Sequence, residues 1–363
     1  MGKIPRFLKK ISDVRLLVQL PPRCFWSRGG MSEKNYATYQ EAMTLIQDQH
    51  YQRAVTVLTS IKGSETEAWE EIAGVLYTGR DVAKRPDDAI AIWRKFASEG
   101  SAHSQQVLGA VLTRGDDSDA ILEGIEWLEK AGSQGKSYAL VNIAQLYYAG
   151  HGPIPADPKR CTDYFHLAVE LGDTEAMITL AHYYQIGFGV EQSNERYLGL
   201  NQRAADAGNV KGNYNLGVTF EFGHFSLIDD ELAFKNYFIA ANGGIPQAQH
   251  NLGARFFNGK GTIQNKPEGI KWYLQAATND SELSMHCLGL AYMRGDVVTQ
   301  NNVHALSWFM VARDHGSKES IPFVEGLTGR LSKAEVVHAA ELTTNLKEHV
   351  RNYLESAPPP TNQ

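Results

Sequence analysis

The stretch from residue 246 to residue 280, PQAQHNLGARFFNGKGTIQNKPEGIKWYLQAATND, contains two helical patterns joined by a glycine-rich turn. In the first half, Leu252 and Phe256 stand one helical turn apart, and Gly259-Lys260-Gly261 follows as a helix stop. In the second half, Pro267 suits the first turn of a helix, where its missing N–H costs little. Apolar residues then recur at helical spacing, at Ile270, Tyr273 and Ala277. The stretch therefore predicts an antiparallel pair of helices.

The same pattern recurs along the chain with a nearly constant period. The glycines that end each predicted first helix are Gly79, Gly115, Gly150, Gly187, Gly223, Gly259 and Gly295, at steps of 36, 35, 37, 36, 36 and 36 residues. The residues that end each predicted second helix keep this rhythm: Gly100, Gly135, Gly172, Gly208, Gly244, Asp280 and Gly316. Seven residues before the first glycine of each unit stands an aliphatic residue followed by Gly or Ala: Ile72, Leu108, Ile143, Leu180, Leu216, Leu252 and Leu288. Seven helix-turn-helix repeats follow from these ladders.

Each ladder has a physical reason. Small residues let neighbouring helices approach closely, so Gly253 is expected to lie at a close helix contact. A terminal glycine adopts the left-handed conformation that ends a helix, where a Cβ costs roughly 1 to 2 kcal/mol. The ladders therefore predict an all-α protein in which consecutive helix pairs share a core.

The repeats share a pattern that is clearest in residues 252–277: Leu-Gly, then Tyr, then G-x-G, then W-Y-x-x-A-A and a closing Gly. This pattern resembles the Sel1-like repeat (SLR), a relative of the tetratricopeptide repeat. The resemblance covers about residues 66–317. It implies a right-handed α-solenoid that serves as an adaptor or assembly scaffold, and some members act in mitochondria in complex assembly or stress signalling. Residues 102–136 depart from the pattern through a short acidic loop at 116–119. No cysteine pair staples each repeat, which counts against the intermembrane-space and secreted branches.

The ladders also give the domain organisation. Residues 31–65 resemble a degenerate tetratricopeptide-like helix pair that caps the first repeat. The seven repeats are assigned to residues 66–101, 102–136, 137–173, 174–209, 210–245, 246–281 and 282–317. Residues 318–356 are predicted to form capping helices, with Ser332 and Glu335 in a capping box, and residues 357–363 a disordered tail.

Residues 1–30 have the composition of a targeting segment. They contain seven basic residues and one acidic residue. Their apolar residues fall at steps of three and four: Ile4, Phe7, Leu8, Ile11, Val14, Leu17 and Val18. Such a basic amphipathic segment is typical of a mitochondrial transit peptide, and residues 23–27 resemble an arginine-guided cleavage site. We therefore expect a mitochondrial protein, with the matrix favoured. Two alternatives stay open: a membrane-surface helix or disordered tail in place of the transit peptide, and a cytoplasmic form that starts at Met31.

Composition excludes several classes of function. The net charge is −6, and since the leader is basic, the rest of the chain is more acidic still, which disfavours general nucleic-acid binding. No apolar run is long enough to predict an integral membrane span. The three cysteines, Cys24, Cys161 and Cys287, are too few for a disulfide framework.

No catalytic set, metal site or cofactor is predicted. The G-x-G motifs at positions 150, 187 and 259 follow helices rather than strands and lack the third glycine of a dinucleotide fingerprint. His250 and His286 occupy one position in adjacent repeats, too far apart to share a zinc ion. Cys161 and Cys287 are expected to be buried thiols. A hydrolase or a small-ligand-binding solenoid is the less favoured alternative.

The predicted binding surface lies on the first helices, which line the concave side in related solenoids. Polar residues eight and four positions before the glycine ladder are candidates for contacting an extended peptide or protein partner: Asn142, Thr179, Tyr183, Asn215, Thr219, Asn251 and Arg255. The equally weighted alternative is that they form structural contacts between repeats. The sequence thus predicts a non-enzymatic protein-protein interaction scaffold for assembly or quality control of a mitochondrial complex, with a cytosolic or mitochondrial stress-signalling adaptor as the alternative.

Overall fold

A computed structural model describes residues 33–62, 64–80, 82–223, 226–295 and 297–356. The predicted leader and tail lie outside these residues. Every regular element that is described is an α-helix, and the helices are α1 Glu33–Gln47, α2 Tyr51–Lys62, α3 Glu65–Thr78, α4 Pro86–Ser98, α5 Ala102–Leu112, α6 Ser118–Ser133, α7 Ser137–Ala149, α8 Pro158–Glu170, α9 Thr174–Ile186, α10 Asn194–Asp206, α11 Val210–Phe222, α12 Asp230–Asn242, α13 Pro246–Asn258, α14 Lys266–Thr278, α15 Glu282–Arg294, α16 Asn302–Asp314, α17 Ile321–Thr328 and α18 Lys333–Ser356.

The helices belong to two compact units. The first comprises residues up to 176 together with 186–192, and the second comprises residues 177–185 together with 193 onward. Within the first unit the pairs α1/α2, α3/α4, α5/α6 and α7/α8 pack against each other, and within the second unit the pairs α11/α12, α13/α14 and α15/α16 do so. Each pair also contacts the next pair in its unit. These contacts confirm the predicted all-α solenoid of consecutive helix-turn-helix repeats.

The predicted aliphatic ladder forms the core. Each of its seven members is at most 2% exposed: Ile72, Leu108, Ile143, Leu180, Leu216, Leu252 and Leu288. Burying a side chain of this size contributes roughly 1.5 to 3 kcal/mol. Each helix pair thus contributes a buried aliphatic side chain to the core of its unit.

Small residues allow the helices of a pair to meet at close range. Gly253 on α13 faces α14, where an added Cβ would lie 2.8 Å from Cδ1 of Tyr273 and 3.1 Å from the carbonyl oxygen of Gly269. Gly217 and Gly289 hold the same position against aromatic rings of their partner helices. The predicted close contact at Gly253 is confirmed.

The helix ends follow the glycine ladders, with one exception. All members of both ladders apart from Gly115 have positive φ, and Asp280 adopts φ 61° where the other repeats have glycine. The prediction for Gly115 was wrong. Helix α5 ends at Leu112 with a right-handed cap residue, Thr113, and α6 begins at Ser118. The shortened acidic loop therefore turns without a left-handed residue.

The second glycine of each G-x-G motif makes a contact between repeats. Gly261 lies against α12 of the preceding repeat, where an added Cβ would collide with the carbonyl oxygen of Asp230. Gly189 lies in the same way against the carbonyl oxygen of Pro158, the first residue of α8. Both glycines also have positive φ. Close packing against the preceding repeat thus explains a motif that resembles a phosphate-binding loop.

The C-terminal helices extend the solenoid. Helix α18 contacts α14 and α16, and the hydroxyl of Ser307 donates to the carbonyl oxygen of Ala339 at 2.9 Å. The predicted capping box is present: the backbone N–H of Ser332 donates to Glu335 at 2.8 Å, and the N–H of Glu335 donates to Ser332 Oγ at 3.3 Å.

Candidate functional site

The predicted partner-binding residues lie on α7, α9, α11 and α13 with different degrees of burial. Four of them are buried: Asn142, Tyr183, Thr219 and Arg255. The other three are half-buried: Thr179, Asn215 and Asn251. For the buried four, this placement favours the alternative of structural contacts between repeats. The half-buried three stay predicted partner contacts.

Arg255 is the centre of a polar network in the second unit. Its side chain is only 2% exposed, and its guanidinium contacts Glu221 Oε1 at 3.3 Å and Asp230 Oδ1 at 2.9 Å. The same guanidinium lies over the ring of Tyr237, whose hydroxyl donates to Glu221 at 2.6 Å and also bonds to Asn251. Burial, and secondly the bond to Glu221, raise the pKa of Tyr237. The network joins α11, α12 and α13, so its role is to hold adjacent repeats together.

A second polar contact links α10 to α11. The Asn215 amide donates to Oδ1 of Asn201 at 2.8 Å, while the Thr219 hydroxyl donates to the carbonyl oxygen of Asn215. Asn201 itself is fully buried and donates to the carbonyl oxygen of Tyr197. The structure therefore brings Asn215 and Thr219 together, and the side chain of Asn215 is already hydrogen-bonded within the chain, to Asn201.

The paired histidines make repeat-to-repeat hydrogen bonds. Nδ1 of His250 lies 2.9 Å from Ser284 Oγ, and Nδ1 of His286 lies 2.8 Å from Ser320 Oγ. Each histidine thus bonds to a serine of the following helix pair, which supports repeat copying as the reason for their spacing. In the part of the chain that the structure describes, no group of three or more His, Cys, Asp or Glu side chains is arranged to hold a metal ion.

The folded protein disfavours protonation of both His250 and His286. Burial lowers the pKa of His250, and the carboxylates of Glu282 and Glu221 offset this only in part. Burial likewise lowers the pKa of His286.

We expect these histidines to make stability depend on pH. Because their folded pKa values lie below the unfolded value of about 6.5, the unfolded chain binds more protons below that pH. Their stabilising contribution is therefore full above about pH 6.5 and declines as the pH falls towards the folded pKa. Urea denaturation at pH 7.5 and 5.5 measures this slope.

A matched comparison assigns the slope to these side chains. His250→Gln with His286→Gln should flatten it, whereas His338→Gln should retain it because the side chain of His338 is 61% exposed. A slope that survives the double substitution would refute the assignment.

The two cysteines on the described helices differ. Cys161 is buried, as predicted. Cys287 was also predicted to be buried, but it is only partly buried, so the prediction was wrong for Cys287. Burial of its thiol nevertheless raises the pKa of Cys287, which leaves little reactive thiolate. Neither cysteine has the environment of a nucleophile.

A cleft of about 670 Å³ lies between α6 and α8 in the first unit. Its apolar surface comes from Leu140, Leu167 and Leu171. Gly132 on α6 is packed directly against Leu140, which leaves no room for a Cβ there. Leu167 and Leu171 are 48% and 44% exposed, and both line this one depression. The cleft is thus an apolar surface open to solvent.

Ordered polar groups surround this cleft. The Tyr164 hydroxyl donates to Glu129 Oε1 at 2.6 Å and bridges the two helices. The Tyr164 ring stacks on Tyr147, with centroids 5.8 Å apart, and the Tyr147 hydroxyl accepts from Arg160 at 2.8 Å. Burial, and secondly the bond to Glu129, raise the pKa of Tyr164. Asp163 and Glu170 complete the polar rim.

Leucine stands at both of these cleft positions in one repeat only, residues 137–173. The other repeats place mostly polar residues at the position of Leu167: Lys95, Lys130, Arg203, Ile239, Gln275 and Val311. At the position of Leu171 they have Glu99, Gln134, Ala207, Gly243, Asn279 and His315. Since the fold does not need leucine at either position, both residues are candidates for function. The sequence analysis missed the cleft because it sought binding residues on the first helix of each repeat only. Aligning the second helices of the repeats shows the two leucines at positions that are mostly polar elsewhere.

Comparison with known families accounts for most of the repeats. The family model described as Sel1 repeat matches residues 102–136, 137–173, 174–209, 210–245, 246–281 and 283–317, more than half of the chain. It does not match residues 66–101, where the structure has the pair α3/α4. No curated protein matches the chain.

Several solved structures are similar to this chain. A Sel1 repeat protein from Oxalobacter formigenes is 23% identical with a TM-score of 0.63, covering 90% of this chain and 95% of its own. The protective antigen c5321 of uropathogenic Escherichia coli, which displays an SLR fold, is 18% identical with a TM-score of 0.34, covering 91% of this chain and 89% of its own. The first of these supports the fold and no more than the fold. Among the described residues, no helix has the length and apolar character needed to cross a membrane.

Proposed function

Since the chain belongs to the Sel1 repeat family, whose repeats are protein-binding, we propose that it is a non-enzymatic scaffold that aids assembly or quality control of a mitochondrial complex. The observation that carries the binding half of this proposal is the cleft between α6 and α8, where two leucines are exposed at positions that other repeats fill mostly with polar residues. An exposed apolar surface with a polar rim is the usual form of a protein-binding site.

The mitochondrial half rests on residues 1–30, which combine seven basic residues with an apolar stripe. Fractionation with protease protection tests it: the chain should resist added protease in intact mitochondria and become sensitive when the inner membrane is opened. A chain found only in the cytosol would refute this half. Deleting residues 1–30 should then abolish import.

Proximity labelling from inside the compartment in which the chain is found tests whether it acts in complex assembly or in stress signalling. A scaffold for assembly should label subunits of one complex, together with their unassembled forms. Labelling of kinases or other signalling proteins would favour the stress-signalling adaptor instead, and cytosolic labelling by a form that starts at Met31 would favour a cytoplasmic adaptor.

A further inference from the structure

We propose that the cleft between α6 and α8 binds an amphipathic peptide segment of a partner protein, in which apolar side chains are flanked by lysine or arginine. This inference rests on the proposed function as a protein-binding scaffold and adds the chemistry of the partner segment. Three features of the cleft carry it: its apolar floor, its uncompensated carboxylates and its position at the C-terminal end of α6.

The floor accepts apolar side chains. Leu140 packs beneath Gly132, and Leu167 and Leu171 stand exposed beside it. A volume of about 670 Å³ is enough for several leucine-sized side chains. Leu167 and Leu171 lie one helical turn apart, which is the spacing that an apolar helical face presents to another. The floor therefore suits two or more apolar side chains of one short segment.

The charges around the floor favour a basic segment. The cleft is lined by three carboxylates, of Glu129, Asp163 and Glu170, and by one guanidinium, of Arg160. Lys159 pairs with Asp163 at 3.1 Å. Within the described part of the chain, Glu129 and Glu170 make no ion pair, and they stand on different helices. Two carboxylates therefore remain to receive cationic side chains.

The dipole of α6 acts in the same direction. The cleft includes Ser133, the last residue of α6, whereas it runs along α8 from Arg160 in the first turn to Glu170 in the last. The C-terminal end of a helix carries a partial negative charge, which attracts lysine and arginine. The hydroxyl of Tyr164 donates to Glu129, which fixes this carboxylate at the cleft without neutralising it.

The test uses the purified full chain and two dye-labelled synthetic peptides of 14 residues. One is an amphipathic peptide of leucine and lysine, and the other has the same leucine positions with glutamate in place of lysine. Fluorescence anisotropy should show binding of the leucine-lysine peptide and at least about tenfold weaker binding of the leucine-glutamate peptide, since like charges oppose its approach. Added salt should weaken the first interaction.

Matched variants locate the binding. Leu167→Ser with Leu171→Ser, and separately Glu129→Gln with Glu170→Gln, should each weaken binding of the leucine-lysine peptide about tenfold or more. Ile239→Ser should leave it unchanged, because Ile239 is also exposed and holds the position of Leu167 in another repeat. Circular dichroism confirms that each variant keeps its helices.

Equal binding of the two peptides would overturn the proposal. Undiminished binding of the leucine-lysine peptide by the cleft variants would also overturn it. Binding that requires deletion of residues 1–30 would assign the cleft to the chain's own basic leader. Sedimentation of a dimer that dissociates on Leu167→Ser with Leu171→Ser would assign it to a second copy. If the peptide fails while proximity labelling still finds one complex, the partner chemistry is wrong and the scaffold function stands.

Discussion

Replacing Gly253 by leucine is expected to lower the free energy of unfolding by roughly 1 to 3 kcal/mol. An added Cβ would lie 2.8 Å from the ring of Tyr273 and 3.1 Å from the carbonyl oxygen of Gly269, so α13 and α14 must move apart to accept any larger side chain. Because the pair α13/α14 also supports α15, the loss should spread to the following repeat. Urea denaturation measures the change, and hydrogen exchange shows which helices lose protection.

Gly199 is the control for this substitution. It also lies within a helix, α10, but no heavy atom is within 4 Å of its added Cβ. Gly199→Leu should therefore leave stability unchanged or raise it by up to about 1 kcal/mol, since leucine is a better helix former than glycine. Equal losses for Gly253→Leu and Gly199→Leu would contradict the close contact.

Gly261→Ala is expected to cost roughly 2 to 5 kcal/mol, which combines left-handed strain with overpacking. Gly261 has φ 68°, and its Cβ would collide with the carbonyl oxygen of Asp230 at the first turn of α12. A backbone oxygen cannot rotate away as a side chain can, so the contact between the two repeats must open. Thermal and urea denaturation should both detect the loss.

Gly244→Ala separates the two contributions. Gly244 has φ 85°, but nothing lies within 4 Å of its added Cβ. Its substitution should cost only the left-handed strain, about 1 to 2 kcal/mol. If Gly261→Ala costs no more than Gly244→Ala, the G-x-G motif does not act through contact with the preceding repeat.

Much of the fold was predictable because it depends on local rules that recur. Leu252 and its equivalents face the core in every repeat. The position of Gly253 requires a small residue where the partner helix packs against it. Asp280 takes the conformation of the glycines at its position, so the ladder predicted even an atypical member. Gly115 fails because the rule needs a loop of ordinary length, and the loop after α5 is shorter.

The candidate site was harder to predict because it depends on neighbours from other helices. Arg255 has the spacing of a surface residue, yet Glu221 on α11 and Asp230 on α12 come together around it, so its charge is satisfied inside the protein. The cleft depends on the meeting of α6 and α8 through Tyr164 and Glu129. Periodicity along one helix contains no information about either meeting.

Site-specific photo-crosslinking in intact mitochondria tests the central claim most directly. A photoreactive amino acid is placed at Leu167 in the cleft or, as control, at the equivalent Ile239. We expect a discrete crosslinked protein partner from position 167, absent from position 239, with the crosslink in a segment where lysine or arginine flanks apolar residues. The same crosslinks from both positions, or none from position 167, would contradict a scaffold that binds its partner through the cleft between α6 and α8.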